Sequence, residues 1–302
     1  MSIIINSDKE LEFFIRNKNI ERQLITTFII SCCDNLKPYS LTECCDQFRD
    51  IIIFYIYNCN KLTHFPESIG QLSALTIFQI ISCNNLTHLP ESFSQLSSLT
   101  TLSILYCNNL THLPDSIGNL SALTTFYIDS CKKLTLYSLT ESFGKLPALT
   151  ILNIKCCDNL TNLPDSFGQL RALTALEIYA CNNLTHLPDS FCNLRALKTL
   201  DITNCNKLTL YSLATSFGNL GALTTLKYCD KLTHYLLPNS ICFCKNLQQI
   251  SISNINMLPP SMILLEKLNE IKVIDKNYIT TIQNINEMRL IWYRILKTTH
   301  IP

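Results

Sequence analysis

The stretch LTTLSILYCNNLTHLPDSIGNLSA, residues 99–122, decides the fold, because near-copies of it recur along most of the 302-residue chain. Repeats of mostly 24 or 26 residues follow one another, and the last two are degenerate. They begin at Ile25, Ile51, Leu75, Leu99, Leu123, Leu149, Leu173, Leu197, Leu223, Leu247 and Leu268. A fixed period of this length is typical of a solenoid, in which each repeat stacks on its neighbours. The sequence therefore predicts one repeat array, and not the two globular domains that length alone suggests.

Each repeat opens with the pattern LxxLxIxxC, whose apolar residues at the fourth and sixth positions are two apart. Residues two apart lie on one side of an extended chain, so the pattern predicts a short strand. Because every repeat returns the chain to an equivalent position, successive strands should be parallel. The predicted fold class is an α/β repeat solenoid with a curved parallel β-sheet on its concave face and short helices or extended segments on its convex face.

A turn follows each strand. In most repeats the element LTxLP brings a proline, which favours extended backbone and cannot join a hydrogen-bonded ladder. Two residues later comes a serine, which we expect to start a short helical turn by accepting a backbone hydrogen bond. These serines are Ser68, Ser92, Ser116, Ser166, Ser190 and Ser240. The 26-residue repeats, which begin at Ile25, Leu123 and Leu197, replace this element, and longer helices are expected there.

The two ends of the array should be covered. Residues 1–24 are predicted to form a helical cap, because Ser7 and Glu10 have capping-box spacing. The solenoid itself is predicted over residues 25–285, as about eleven repeats of 21–26 residues. Residues 286–302 are expected to form a closing helix and tail. The side chains predicted to turn inward from these two helices are Leu11, Phe14, Ile15, Met288, Ile291, Trp292 and Ile295.

Composition excludes several function classes. With 24 basic and 23 acidic residues, the net charge of +1 gives no electrostatic footprint for nucleic acid or an anionic membrane. No apolar run approaches the roughly 18 residues of a membrane span. The amino terminus lacks the apolar stretch of a classical secretory signal. We therefore expect a cytoplasmic protein, or one delivered into a host cell without such a signal, and a monomer without a cofactor.

Cysteine and histidine recur in register. Eight cysteines occupy the ninth position of consecutive repeats: Cys33, Cys59, Cys83, Cys107, Cys131, Cys157, Cys181 and Cys205. We interpret them as reduced core residues, because stacked parallel side chains keep Cβ atoms too far apart for a disulfide. Zinc is the alternative, although CxxC pairs are absent. His64, His88 and His112 form a similar column, interpreted as a solvated ladder, with metal binding or pH sensing as the alternative. No group of residues indicates a catalytic site.

The full pattern LxxLxIxxCxxLTxLPxSxGxLxxL resembles the leucine-rich repeat. Its 24-residue form is most similar to the repeats of plant disease-resistance receptors, and residues 131–146, CKKLTLYSLTESFGKL, are similar to the cysteine-containing type. The richness in Ile, Asn and Lys and the near-identical repeats are similar to leucine-rich effectors that intracellular bacteria deliver into host cells. This resemblance implies the solenoid fold and, as function, the binding of another macromolecule.

Binding residues are sought at positions that the core leaves unconstrained, the third, fifth, seventh and eighth of each repeat. Exposed Tyr beside Ile and Leu, next to a charged rim, is typical of a protein-binding surface. Strand propensity alone is the other explanation for the tyrosines. The predicted partner-binding residues are Ile53, Tyr55, Tyr57, Ile77, Ile81, Leu105, Tyr106, Tyr127, Asp129, Lys155, Glu177, Tyr179 and Asp201.

The sequence thus favours a non-enzymatic protein–protein interaction module that binds a partner protein on its concave face. An intracellular effector or adaptor is the leading specific version. A regulator or adaptor for a ubiquitin ligase or phosphatase, and a module for small-ligand or carbohydrate recognition, stay open as alternatives.

Overall fold

The computed structural model describes residues 1–17, 25–33, 35–135, 141–210, 213, 215–228, 237–274, 279–283, 287, 290 and 293. The chain divides into two compact units, an N-terminal unit (Met1–Leu160) and a C-terminal unit (Thr161–Pro302). Each unit is a stack of strands joined by short turns, as the repeat pattern predicts. The boundaries that the sequence suggests for the caps and the solenoid stay predictions.

The N-terminal unit contains seven strands and two α-helices among its described residues. They are β1 (Ser2–Ile5), α1 (Asp8–Arg16), β2 (Thr27–Ser31), α2 (Pro38–Gln47), β3 (Ile53–Tyr57), β4 (Ile77–Ile81), β5 (Thr101–Leu105), β6 (Thr125–Asp129) and β7 (Ile151–Lys155). Strands β1 to β7 pair in chain order and in parallel. From β2 onward each register joins residues at the same repeat position, so equivalent side chains form straight columns across the sheet.

The described part of the C-terminal unit continues the same pattern with six strands. They are β8 (Ala175–Tyr179), β9 (Thr199–Asp201), β10 (Thr225–Tyr228), β11 (Gln249–Ile252), β12 (Glu270–Ile274) and β13 (Ile279–Ile282). Strands β8 to β12 are parallel, whereas β13 turns back antiparallel to β12. The predicted parallel sheet is confirmed with this one exception. The predicted inward residues Met288, Ile291, Trp292 and Ile295 lie outside the described residues.

The core lies behind the sheet, where the fourth, sixth and ninth positions point. In the fourth repeat these are Leu102, Ile104 and Cys107, all fully buried. In the N-terminal unit the core also contains a run of phenylalanine rings, which passes from α1 through three repeats with neighbouring centroids 5.0–5.7 Å apart. Its members are Phe14, Phe28, Phe48, Phe54, Phe78 and Phe93. Aromatic pairs in this distance range add stabilisation beyond that of the buried area.

The turns opposite the strands are short 3-10 helices of three or five residues. They are Glu67–Gln71, Glu91–Gln95, Asp115–Asn119, Glu141–Lys145, Asp165–Gln169, Asp189–Asn193, Phe217–Asn219, Asn239–Phe243, Ile255–Met257 and Pro260–Leu264. The 26-residue repeats differ among themselves. Helix α2 in the first has ten residues, as expected, whereas the described residues of the other two contain only Glu141–Lys145, Leu213 in 3-10 conformation and Phe217–Asn219.

The predicted capping role of the turn serines is wrong. The proline occupies the N-cap position, so the serine is already inside the turn and makes no capping hydrogen bond. Its hydroxyl can instead reach the preceding repeat. Ser116 Oγ donates to the carbonyl oxygen of Glu91 over 3.0 Å, and Ser190 Oγ donates to that of Asp165 over 2.5 Å. In these two repeats the serine therefore ties the turn to the preceding repeat.

The amino-terminal segment begins with β1, which the sequence did not predict, and continues into α1. The hydroxyl of Ser7 accepts a hydrogen bond from the backbone N–H of Glu10 over 3.3 Å, as the capping-box spacing indicates. Leu11, Phe14 and Ile15 are buried. The segment therefore contributes a strand to the sheet as well as a helix that packs on the core.

Candidate functional site

The sheet face opposite the core presents the third, fifth and seventh positions of each repeat. Along most strands these residues are partly exposed while the fourth and sixth are buried, which confirms the predicted alternation. Because equivalent positions are paired from strand to strand, the three positions form three rows that cross the sheet. Each row of this face therefore consists of side chains from one repeat position.

In the N-terminal unit these rows bring seven of the predicted residues together, and with Tyr106, which follows β5 directly, they form a cluster that we call the tyrosine face. Its members are Ile53, Tyr55, Tyr57, Ile77, Ile81, Leu105, Tyr106 and Tyr127. The seventh-position row reads Tyr57, Ile81, Leu105, and each residue is the register partner of the next. The rings of Tyr55 and Tyr57 lie 5.9 Å apart. The tyrosine face is therefore a continuous apolar patch on an exposed surface.

The fifth-position row contains a small residue among large ones. Ser103 is buried, although its side chain points to the outer side of the sheet. Its register partners on either side are Gln79 and Tyr127, whose longer side chains can cover it. Ser103 is therefore covered and adds little exposed surface to the tyrosine face.

Tyr106 differs from the other tyrosines because it follows its strand. It occupies the eighth position of its repeat. At this position the backbone is left-handed in eight successive repeats, with φ between 51° and 59°. The described members of this column are Cys32, Asn58, Ser82, Tyr106, Ser130, Cys156, Ala180 and Asn204. The conformation is common to the column, but a bulky side chain is uncommon in this region of backbone space. Tyr106 is the bulky member and is 49% exposed, and strand propensity cannot explain it.

A charged pair continues the seventh-position row beyond the apolar patch. Asp129 is the register partner of Leu105, and Lys155 is the register partner of Asp129. Both are partly exposed, and Ser130 Oγ donates to Asp129 Oδ1 over 2.8 Å. The tyrosine face is therefore bordered on one side by charge, as a rim would be.

The three predicted residues of the C-terminal unit are placed differently. Glu177 and Tyr179 are accessible on β8, but Asp201 is only 9% exposed. Its carboxylate accepts hydrogen bonds from the backbone N–H and the hydroxyl of Thr203 and lies 3.0 Å from Lys227 Nζ. Neighbouring side chains thus cover the Asp201 carboxylate and occupy its oxygens, and its role in partner binding stays a prediction.

The cysteine column lies in the core, with its members essentially inaccessible. In the fourth and fifth repeats Cys107 Sγ donates to the carbonyl oxygen of Leu105 and Cys131 Sγ to that of Asp129, both over 3.6 Å. Burial raises the pKa of Cys107 to about 12 and that of Cys131 even further. These thiols are held in the neutral form and bond weakly to the ends of the strands.

Thiol reactivity should therefore separate the core cysteines from the exposed one. We expect iodoacetamide at neutral pH to alkylate Cys32, which is exposed, and to leave Cys107 unmodified in the native protein. The reason is that the thiolate is the reactive form, and Cys107 is both buried and held neutral. Peptide mass spectrometry after timed quenching measures both sites. Full alkylation in guanidinium is the control, and equal native rates would contradict the placement of Cys107.

The histidine ladder lies beside the sheet. His64, His88 and His112 are joined by parallel bridges, and their rings are parallel within 2° at centroid distances of 5.8 and 5.7 Å. Burial and the adjacent imidazoles lower the pKa of His88. One Zn²⁺ with bonds of about 2.0–2.1 Å cannot join nitrogens more than roughly 4.2 Å apart. Parallel rings at these distances do not suit a single ion, and pH sensing stays a prediction.

Sequence interpretation missed a cleft in the C-terminal unit. It lies at the ends of two neighbouring turns, encloses about 490 Å³, and is lined by Gly168, Gln169, Arg171, Asn193 and Arg195. The signal was present in the sequence. The position of the two arginines is held by serine in three earlier repeats, as Ser73, Ser97 and Ser121.

In the described part of the chain, no group of three or more His, Cys, Asp or Glu side chains could hold a metal ion. Within the same residues, every helix is too short or too polar to cross a membrane.

Comparisons with known proteins give a consistent family. The family model described as "Leucine-rich repeat region" matches residues 31–161, and the model described as "Zer-1-like, Leucine-rich repeats" matches residues 140–259. The search of curated proteins gave no match.

Solved structures show the same fold. A leucine-rich-repeat protein of Leptospira interrogans is 20% identical, with a TM-score of 0.60 over 91% of this chain and 71% of that one. InlP of Listeria monocytogenes is 22% identical, with a TM-score of 0.57 over 76% of this chain and 63% of that one. An internalin-like protein of the same organism is 20% identical, with a TM-score of 0.52 over 74% and 68%.

Proteins of this fold are generally non-catalytic modules that bind other proteins. The repeat pattern, the stacked parallel strands and two family models over adjoining parts of the sequence agree. The chain therefore has the leucine-rich-repeat fold.

Proposed function

We propose that this chain is a non-enzymatic protein–protein interaction module and that it binds its partner protein through the tyrosine face. The observation that carries the proposal is Tyr106, a bulky, exposed side chain held at a left-handed backbone position. Beside it lies the apolar row Tyr57, Ile81, Leu105 on an exposed sheet surface. Tyrosine anchors surrounded by aliphatic side chains are enriched among residues that dominate binding energy.

The size of the tyrosine face indicates its role in an interface. It crosses β3 to β6, three strand spacings of about 4.8 Å, and runs along about 13 Å of each strand. An area of that order is well below the roughly 800 Å² per partner of a standard interface. The tyrosine face would therefore form the central anchor, and the more polar residues around it would form the rim.

The charged pair at the border would contribute to partner selection. Asp129 and Lys155 are adjacent on neighbouring strands and carry opposite charges. A partner that presents matching charges in the reverse order would be oriented relative to the tyrosine face, whereas rim charges add little affinity by themselves. We expect changes at these two residues to alter the association rate more than the dissociation rate.

Within this proposal, the chain acts as an intracellular effector or adaptor that docks a host or cellular protein. The net charge of +1 favours a protein partner over nucleic acid.

The direct test removes the four tyrosines of the tyrosine face together. We expect Tyr55→Ala, Tyr57→Ala, Tyr106→Ala and Tyr127→Ala, combined in one variant, to weaken partner binding by at least about 100-fold. The loss of a single strong anchor costs about 2 kcal/mol or more, which already approaches this factor. Proximity labelling in cells identifies the partner, and titration of the purified partner gives the two dissociation constants.

A matched control replaces exposed aromatic residues elsewhere. Phe13, Tyr39 and Phe243 are exposed and lie in helical segments away from the strands. Their combined replacement by alanine should leave partner binding unchanged. The proposal fails if the tyrosine variant is folded, as judged by circular dichroism, and still binds the partner with the affinity of the unmodified protein.

A further inference from the structure

The cleft between two turns of the C-terminal unit contains a pair of arginines. The 3-10 turns Asp165–Gln169 and Asp189–Asn193 stack as neighbours, and Arg171 and Arg195 follow two residues after each. The backbone N–H of Arg171 donates to the carbonyl of Gln169 over 2.7 Å, and that of Arg195 donates to the carbonyl of Asn193 over 2.8 Å. Equivalent backbone hydrogen bonds therefore fix the backbone from which the two arginine side chains extend.

The charges of the two arginines are not neutralised locally. Both side chains are exposed, and within the described residues neither guanidinium makes a hydrogen bond or an ion pair. The acids of the same turns, Asp165 and Asp189, lie at the opposite ends of those turns, about 8 Å from Gln169 and Asn193 along a five-residue 3-10 helix. Like charges side by side favour an anion that both can contact.

The remaining lining groups add hydrogen-bond donors. Gln169 and Asn193 each carry a side-chain amide with two N–H groups, and Gly168 lies at the bottom of the turn without a side chain. The cleft volume of about 490 Å³ is within the range of roughly 300–1,000 Å³ typical of small-ligand sites. The cleft thus combines space with two cations and two amides.

The arginine pair departs from the repeat, so repetition does not account for it. The chain contains seven arginines, and two of them occupy this one position in consecutive repeats. The equivalent residues elsewhere are Arg49, Ser73, Ser97, Ser121, Pro147, Gly221, Lys245 and Glu266. Arg49 is followed by Ser73 in the next repeat, whereas Arg171 and Arg195 are adjacent in the stack and line one cleft.

We propose that this cleft binds a phosphate monoester, with the guanidinium groups of Arg171 and Arg195 holding its oxygens from two sides. A phosphate monoester carries about −1.5 to −2 charges at neutral pH and has three terminal oxygens, enough to accept hydrogen bonds from both guanidinium groups. A single carboxylate has two oxygens and one charge and would pair with one guanidinium group. The site is separate from the tyrosine face and does not depend on it.

Calorimetric titration of the full chain tests the proposal with three probes: methyl phosphate, a phosphoserine peptide and acetate. We expect saturable binding of both phosphates and weaker binding of acetate. Arg171→Ser combined with Arg195→Ser should weaken methyl phosphate binding at least about tenfold, because charge-assisted hydrogen bonds are lost. Serine is the residue that other repeats carry here, so the variant should fold.

The control is Lys245→Ser, since Lys245 holds the same position in a later repeat outside the cleft. It should bind methyl phosphate like the unmodified protein. Methyl phosphate should also raise the Tm of the unmodified protein but not that of the double variant. Tighter binding of the peptide than of methyl phosphate would identify a phosphorylated protein as the source, and equal affinity would identify a small phosphate. The proposal would be overturned if methyl phosphate did not bind saturably, if acetate bound more tightly, or if the double variant bound methyl phosphate like the unmodified protein.

Discussion

Replacement of Phe78 by alanine is expected to lower the free energy of unfolding of the N-terminal unit by about 3–5 kcal/mol. The ring is fully buried in β4 and contacts three others. It stacks on Phe54 and Phe93 at centroid distances of 5.0 and 5.6 Å and meets the edge of Phe65 at 5.5 Å. Alanine would leave a cavity between adjacent repeats, and a solenoid depends on contacts between nearest neighbours. Urea unfolding followed by circular dichroism measures the change.

Two companion variants separate packing from the loss of an aromatic ring. Phe78→Leu introduces the residue that Leu102 provides at the same position of the next repeat, and should cost less than alanine. Phe13→Ala removes a ring that is 71% exposed and should change stability by no more than about 0.5 kcal/mol. Equal losses for Phe78→Ala and Phe13→Ala would contradict the buried run of rings as a source of stability.

The sequence predicts the strands well because one spacing rule determines them. Leu102, Ile104 and Cys107 are buried as their spacing requires, and the parallel order follows from the repeat. The left-handed position occupied by Tyr106 was not predicted, since Cys, Asn, Ser, Tyr and Ala all occur there and glycine does not. The conformation is imposed by the ladder. The N–H of Tyr106 donates to the carbonyl of Asp129 on the next strand over 2.8 Å, a contact between repeats that no single repeat reveals.

The candidate site was predictable only as far as side-chain direction. Alternation places Tyr57 and Asp201 outward alike, yet one is partly exposed and the other is covered. The difference comes from Thr203 and Lys227, whose hydroxyl and ammonium groups contact the Asp201 carboxylate. Lys227 lies one repeat further along, so the pairing depends on register and side-chain length together. The direction of a side chain follows from its odd or even position along the strand. Its accessibility depends on the side chains of neighbouring repeats.

Replacement of Gly118 by alanine is expected to destabilise the N-terminal unit by about 1–3 kcal/mol through overpacking. The backbone of Gly118 is not left-handed, so the requirement for glycine is one of space. A methyl group there would overlap the carbonyl oxygen of Ser142, lie 2.8 Å from its carbonyl carbon and lie 3.1 Å from Cβ of Lys145. The obstacle is mainly backbone of the next turn, which cannot move aside without separating two stacked repeats. Thermal unfolding of the purified variant measures the loss.

Gly221 is the matched control, because the same substitution there meets open space. Its nearest neighbour would be the carbonyl oxygen of Asn219 at 4.0 Å, an ordinary van der Waals distance. Gly221→Ala should therefore stabilise the protein by about 0.4–1 kcal/mol, since alanine restricts the unfolded chain more than glycine does. Opposite signs for the two substitutions would show that turn-to-turn contact limits the residue at Gly118. A stabilised Gly118→Ala variant would mean that adjacent turns are not packed as closely as the structure has them. The serine hydroxyls that link consecutive turns would then lose their hydrogen-bond partners as well.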